Sequence, residues 1–121
     1  MKDSKTEVFK RRLYILVLRL VKFVENLKKS PTSKIVGDQL LRSGTSILGN
    51  YIEGQSASSR KDYTNYFNHS LKSSNESKVW ISILKDTGKG DKKEAEWLLS
   101  ELAEISGIFA SSVLTLRGKR K

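Results

Sequence analysis

The chain has 121 residues, no cysteine, and 23 lysines and arginines against 13 acidic residues, for a net charge of +10 and a pI near 9.9. The length suits one domain able to bury its own core, and the missing thiols exclude disulfides, thiolate metal sites and cysteine nucleophiles. A single proline, no alternating apolar run and no Asn-Gly turn leave strand signals absent, so the fold class read here is all-α.

The charge is uneven. Residues 1–30 hold nine basic and three acidic side chains, residues 117–121 hold four basic ones, and the 86 residues between sum to zero. Such a distribution bears on solubility and partners rather than on fold. The apolar run at 13–18 is broken by Arg19 and Lys22, far short of the roughly 20 apolar residues a membrane span needs. No small-residue cleavage site follows it, so no membrane association is expected and the cytoplasm is the expected compartment.

The first helix is predicted over about 6–29. Phe9, Leu13, Leu16, Leu20, Val24 and Leu27 share one face at roughly 100° per residue, and Val17, Val21, Tyr14 and Leu18 widen it. Lys5, Arg11, Arg12, Arg19, Lys22 and Lys29 fill the remaining sector. That arc exceeds the stripe a surface helix needs against one core, which predicts burial on a second side against another subunit.

Ser30 with Pro31 reads as an N-cap followed by proline at the first helical position, opening a second helix over 31–53 with Gly54 as its stop. Within it Leu40, Gly44, Ile47, Leu48 and Tyr51 keep three- and four-residue steps. Gly44 and Gly49 each cost up to about 1 kcal/mol against alanine in a helix, which asks for close approach by a neighbour. Ser59 with Asp62 opens a third helix over 60–86, and TGKGDKK precedes a fourth over 91–116 with Trp97, Leu98, Leu102, Ile105, Phe109, Val113 and Leu116 on one stripe. A basic tail, 117–121, follows.

Four helices with short connections predict an antiparallel up-down-up-down bundle. That topology puts Lys5, Arg11, Arg12, Arg60, Lys61, Arg117, Lys119, Arg120 and Lys121 at one end, and with Arg19 and Lys22 they form the expected nucleic-acid-binding set. Counting along the second and third helices brings Arg42 within a turn of Glu76, predicting a polar pair that fixes register. Catalysis finds no foothold. The lone histidine, His69, has no second histidine for a zinc or di-iron site and no nucleophile set to serve. GKG at 88–90 lacks the P-loop spacing, so no cofactor or metal is expected.

Leu40-Leu41-Arg42-Ser43-Gly44-Thr45-Ser46-Ile47, then Asn50-Tyr51-x-Glu53, resembles the signature of the bacterial four-helix-bundle proteins, the intervening-sequence proteins of large-subunit ribosomal RNA genes. Ser59-Arg60-Lys61-Asp62-Tyr63 and Asn75-Glu76-Ser77-Lys78-Val79-Trp80-Ile81 are similar to that family's third-helix pattern. Gly49 and Gly54 stand where alanine is frequent, and Tyr66–Ser70 is more polar than the usual aliphatic run. The resemblance implies an up-down bundle that assembles into a ring, commonly a homopentamer, without catalysis. It also implies kinship with bundles that act as accessories of diversity-generating retroelements and engage a reverse transcriptase and nucleic acid.

The expected function is therefore a non-enzymatic oligomeric bundle binding RNA or DNA backbone, as an accessory to a reverse transcriptase or another nucleic-acid enzyme. The alternative is a protein-interaction scaffold with no nucleic-acid role.

Overall fold

Each helix begins where a short polar side chain takes up one of its orphan backbone N–H groups. Ser4 Oγ accepts from the Glu7 N–H at 3.1 Å, Ser30 Oγ from Ser33 at 3.0 Å, Ser59 Oγ from Asp62 at 3.1 Å, and Asp91 Oδ2 from Glu94 at 2.8 Å. Each such cap contributes about 1 kcal/mol. The computed structural model describes residues 4–118, and among these it holds four helices and no strand: α1 (Lys5–Glu25), α2 (Pro31–Gln55), α3 (Arg60–Asp86) and α4 (Lys92–Leu116).

Two helix ends differ from the expectation. α1 stops at Glu25 rather than Lys29, because Asn26 caps it and donates through Nδ2 to the Lys22 carbonyl at 2.9 Å. The freed segment turns so that the Lys28 N–H donates to the Lys89 carbonyl at 2.9 Å, tying the first connector to the third. α2 runs through Gly54 to Gln55. Gly54 is a contact point rather than a stop: a Cβ there would lie 3.1 Å from Tyr66 Cβ, tighter than an ordinary van der Waals contact, so α3 passes close by.

The packing order around the core is α1, α2, α3, α4 and back to α1, with α2–α3 the most extensive seam and α1–α4 the slightest. One cluster of buried residues fills the centre, including Leu13, Leu16 and Leu20 of α1, Leu40 and Ile47 of α2, Ile81 and Leu84 of α3, and Leu98, Leu102, Ile105 and Phe109 of α4. Gly44 fits this core for a steric reason, since a Cβ would fall 2.6 Å from Leu20 Cδ1. Gly49 has no such reason, as nothing lies within 4 Å of its would-be Cβ. By length and composition α4 could cross a membrane, the one such helix among the described residues. Its apolar stripe, Leu98, Leu102, Ile105, Phe109 and Val113, is instead buried against the other helices.

The α2–α3 seam is polar and close. Ser43 Oγ and Ser77 Oγ share a hydrogen bond at 2.8 Å, Ser73 Oγ donates to Ser46 Oγ at 3.0 Å, and Ser70 Oγ donates to the Ile47 carbonyl at 2.9 Å. Ser74 repeats the motif toward α4, 2.7 Å from Ser106 Oγ. A serine is small enough to let backbones approach, and its hydroxyl both donates and accepts, so these buried groups remain satisfied.

α1 uses only part of its wide apolar arc inside the chain. Leu13, Leu16, Leu20 and Phe23 are buried, whereas Tyr14, Ile15 and Leu18 remain 53%, 47% and 48% exposed.

Candidate nucleic-acid interface

At one end of the molecule, Arg60 at the start of α3 donates from Nε and Nη2 to the Leu116 carbonyl at 3.3 and 3.1 Å. This contact satisfies a carbonyl left open at the end of α4. It also holds Arg60 and Lys61 beside Arg117, the C-cap of α4. Aromatic contacts bring the beginning of α1 to the same end. The Phe9 ring lies 5.2 Å from Tyr51 and 5.5 Å from Phe109, Tyr51 lies 5.5 Å from Phe67, and Tyr63 lies 4.5 Å from Phe67. Lys5, one helical turn before Phe9, is exposed, as are Arg11, Lys61 and Arg117. The cations at this end therefore come from three helices positioned over one aromatic cluster.

Not every residue of the expected set joins them. Lys22 lies toward the other end of α1, in a groove it shares with Arg19, Phe23, Asn26, Asp91 and Glu94. Lys119, Arg120 and Lys121 lie outside the described residues. Arg12 and Arg19 face α4 and form ion pairs there. Arg12 donates from Nε and Nη2 to Glu101 at 2.8 Å each, with Glu104 at 3.3 Å from Nη2. Arg19 donates from Nε and Nη2 to Glu94 at 2.8 and 2.6 Å, and its Cζ sits 3.4 Å from the centre of the Trp97 ring. Fork-to-fork pairing of this kind holds both partners in their charged forms. The hydrogen bond to Glu101 raises the Arg12 pKa, and that to Glu94 raises the Arg19 pKa. Reciprocally, the bonds from these arginines hold the Glu101 and Glu94 carboxyls below the usual carboxylate range.

The sequence held a signal for these clamps. Arg12 and Arg19 are seven residues apart, and so are Glu94 and Glu101. Two facing helices meet at that spacing on every second turn.

The expected Arg42–Glu76 pair takes a different form. Both side chains are exposed, and no ion pair among the described residues joins them. The inter-helix bond at this level lies one residue further along each helix, between Ser43 and Ser77. Arg42 and Glu76 occupy exposed positions beside the seam, whereas Ser43 and Ser77 are buried in it, where two small hydroxyls satisfy each other. Asn50 is satisfied within its own helix, donating from Nδ2 to the Ser46 carbonyl and Oγ at 2.9 and 2.8 Å. His69 is exposed, and among the described residues no group of three or more histidine, cysteine, aspartate or glutamate side chains could hold a metal ion.

The family model for 23S rRNA-intervening sequence proteins matches residues 5–111. A crystal structure of a protein of unknown function from the S23 ribosomal protein family of Bacteroides thetaiotaomicron is similar at 31% identity. The similarity covers 86% of this chain and 96% of that one, with a TM-score of 0.76. No curated protein matches.

Proposed function

The chain belongs to the 23S rRNA-intervening sequence protein family, and from that premise we propose that it is a non-enzymatic nucleic-acid-binding bundle whose cationic end contacts phosphate backbone. The observation that carries this reading is the Arg60–Leu116 contact, which fixes cations from separate helices on one surface. Lysines and arginines gathered in this way displace counterions from RNA or DNA, giving affinity that is largely independent of sequence and steep in salt. The family name refers to ribosomal RNA, which fits such a partner. A reverse transcriptase or another nucleic-acid enzyme is the protein partner that the sequence resemblance implies.

The helices run up-down-up-down. Supporting this, the α3 partner falls from Ser77 to Ser73 to Ser70 as the α2 partner rises from Ser43 to Ser46 to Ile47, and Arg12 and Arg19 meet Glu101 and Glu94 in reversed order. Copies of this bundle assemble into a closed ring, with five the number the resemblance implies. The outer face of α1 supports assembly, because Tyr14, Ile15 and Leu18 form an apolar patch of the kind that marks an interaction surface. The same patch favours the second reading, a protein-interaction scaffold.

Fluorescence anisotropy with a labelled single-stranded RNA and a duplex DNA separates these readings, alongside light scattering of the protein alone. The nucleic-acid reading predicts that affinity falls by at least about tenfold between low and physiological salt. A stable ring indifferent to both nucleic acids at low salt would leave the scaffold as the function.

A further inference from the structure

Along the outward side of α3, Lys61, Asn65, Asn68, His69, Lys72 and Asn75 recur at three- and four-residue steps or their sums, the spacing of one helix face. Asn68 is half-buried and the other five are exposed. Among the described residues no hydrogen bond or ion pair engages these side chains. Asparagine is a weak helix former, so three on one solvent face lower helix stability with no internal bond to offset them. Two exposed carboxylates, Asp62 beside Lys61 and Glu76 one turn after Lys72, bracket this face, and no acidic residue lies between them. Arg60 and Lys61 make this face continuous with the cationic end.

We propose that this face of α3 enters the major groove of B-form DNA, an inference that rests on the nucleic-acid reading and adds base recognition to it. The carboxamides of Asn65 and Asn68 supply paired donors and acceptors, the chemistry that fits the N6 and N7 edge of adenine. Lys61 and Lys72, eleven residues and so about 16 Å apart along the helix axis, contact the flanking phosphates. A helix fits the major groove of B-form DNA, which is roughly 12 Å wide. The deep, narrow major groove of an RNA duplex does not admit it. Single strands are bound chiefly by stacking on exposed aromatic rings, and this face carries none. The occupant that remains is duplex DNA.

The test is selection by the full chain from a randomised duplex DNA pool of roughly 20 base pairs, about two helical turns, with a single-stranded RNA pool of equal length as comparison. The wild type is expected to enrich an adenine-containing motif and to bind it at least about tenfold more tightly than the starting pool, the discrimination typical of a paired base contact. Asn65→Ala/Asn68→Ala is expected to bind motif and pool alike, with affinity for the pool unchanged within about twofold, since amide contacts to base edges carry the discrimination. Alanine favours helix more than asparagine does, so this variant keeps its helicity, which circular dichroism checks. Lys61→Gln/Lys72→Gln is expected to weaken binding to every duplex equally. Salt-sensitive binding without enrichment, retention of the motif by the asparagine variant, or preference for the RNA pool would each overturn the groove assignment while the backbone reading stood. Absence of binding to either pool at low salt would overturn both.

Discussion

The α2–α3 and α1–α4 seams join the same kind of element by opposite chemistry. Between α2 and α3 the contacts are glycine and serine, close and neutral, with Ser70 and Ser77 fully buried and bonded across the seam or to backbone. Between α1 and α4 they are arginine forks on glutamates, half-exposed and charged, with Trp97 under one guanidinium. The first seam depends on volume, the second on protonation state and ionic strength. A close seam resists change in solvent and fails when a side chain grows, whereas a charged seam tolerates bulk and responds to pH and salt.

The largest break is expected from enlarging the close seam. Ser77→Leu inserts an isobutyl group where the hydroxyl sits 2.8 Å from Ser43 Oγ. Overpacking of this kind costs about 1–3 kcal/mol, with a further contribution from leaving Ser43 short of its partner. Urea denaturation is expected to show the loss with little dependence on salt; a variant as stable as the wild type would mean that the helices can separate at this level.

A smaller loss follows from Glu101→Gln, which keeps the shape and removes the charge opposite Arg12. Glu101 is 15% exposed and Arg12 30%, so solvent screens part of the interaction, and a cost of about 1 kcal/mol is expected. That cost should shrink in high salt, unlike the serine variant's.

The two carboxylates also set a pH dependence. Their folded pKa values lie below those of the unfolded chain, so their stabilisation is fully present above the ordinary glutamate pKa of about 4.3 and is lost as pH falls through the depressed folded values. Wild-type stability should therefore drop in acid more steeply than that of Glu94→Gln/Glu101→Gln, with the two curves converging at the acid end. Parallel curves would show that the clamps contribute nothing in solution.

The smallest effect concerns Trp80, whose indole N–H is buried without an acceptor among the described residues. Trp80→Phe removes a donor that has nothing to bond, so a change near zero or a slight gain in Tm is expected. A loss comparable to that of Ser77→Leu would indicate that the nitrogen has a partner in the assembled protein.

What the sequence disclosed divides along the same line. Apolar periodicity and the caps Ser30 and Ser59 disclosed the elements, because caps act locally and the core stripes repeat within each helix, whereas Asp91, read as the first residue of the fourth helix, is its N-cap. The end of α1 differs from the expectation because the apolar stripe continues through Leu27 past the Asn26 cap, and the Lys28 N–H then turns to the distant Lys89 carbonyl. Gly54 was read as a terminator because its burial under Tyr66 is a property of the neighbouring helix. Among the site residues, connectivity alone leads to the expectation that Arg60, Lys61 and Arg117 share one end, and Arg60 donates to the Leu116 carbonyl, next to Arg117. Arg12 and Arg19 were grouped with them because a basic residue on a helix face shows its charge in the sequence, while the glutamate that pairs with it lies more than seventy residues away. The serine seam was hidden for a related reason: serine at a core-spaced position reads as a break in the pattern until a hydroxyl on the facing helix is seen.

The most direct measurement of the central claim is the salt dependence of RNA and DNA affinity for Lys61→Gln/Arg117→Gln beside Arg12→Gln/Arg19→Gln. The first pair lies open at the cationic end and is expected to lower the slope of log affinity against log salt by about 2, one for each phosphate contact removed. The second pair is engaged by Glu101 and Glu94 and is expected to leave the slope unchanged while lowering stability. Equal slopes for the first variant and the wild type, or a loss confined to the second, would contradict a phosphate-binding role for this end of the bundle.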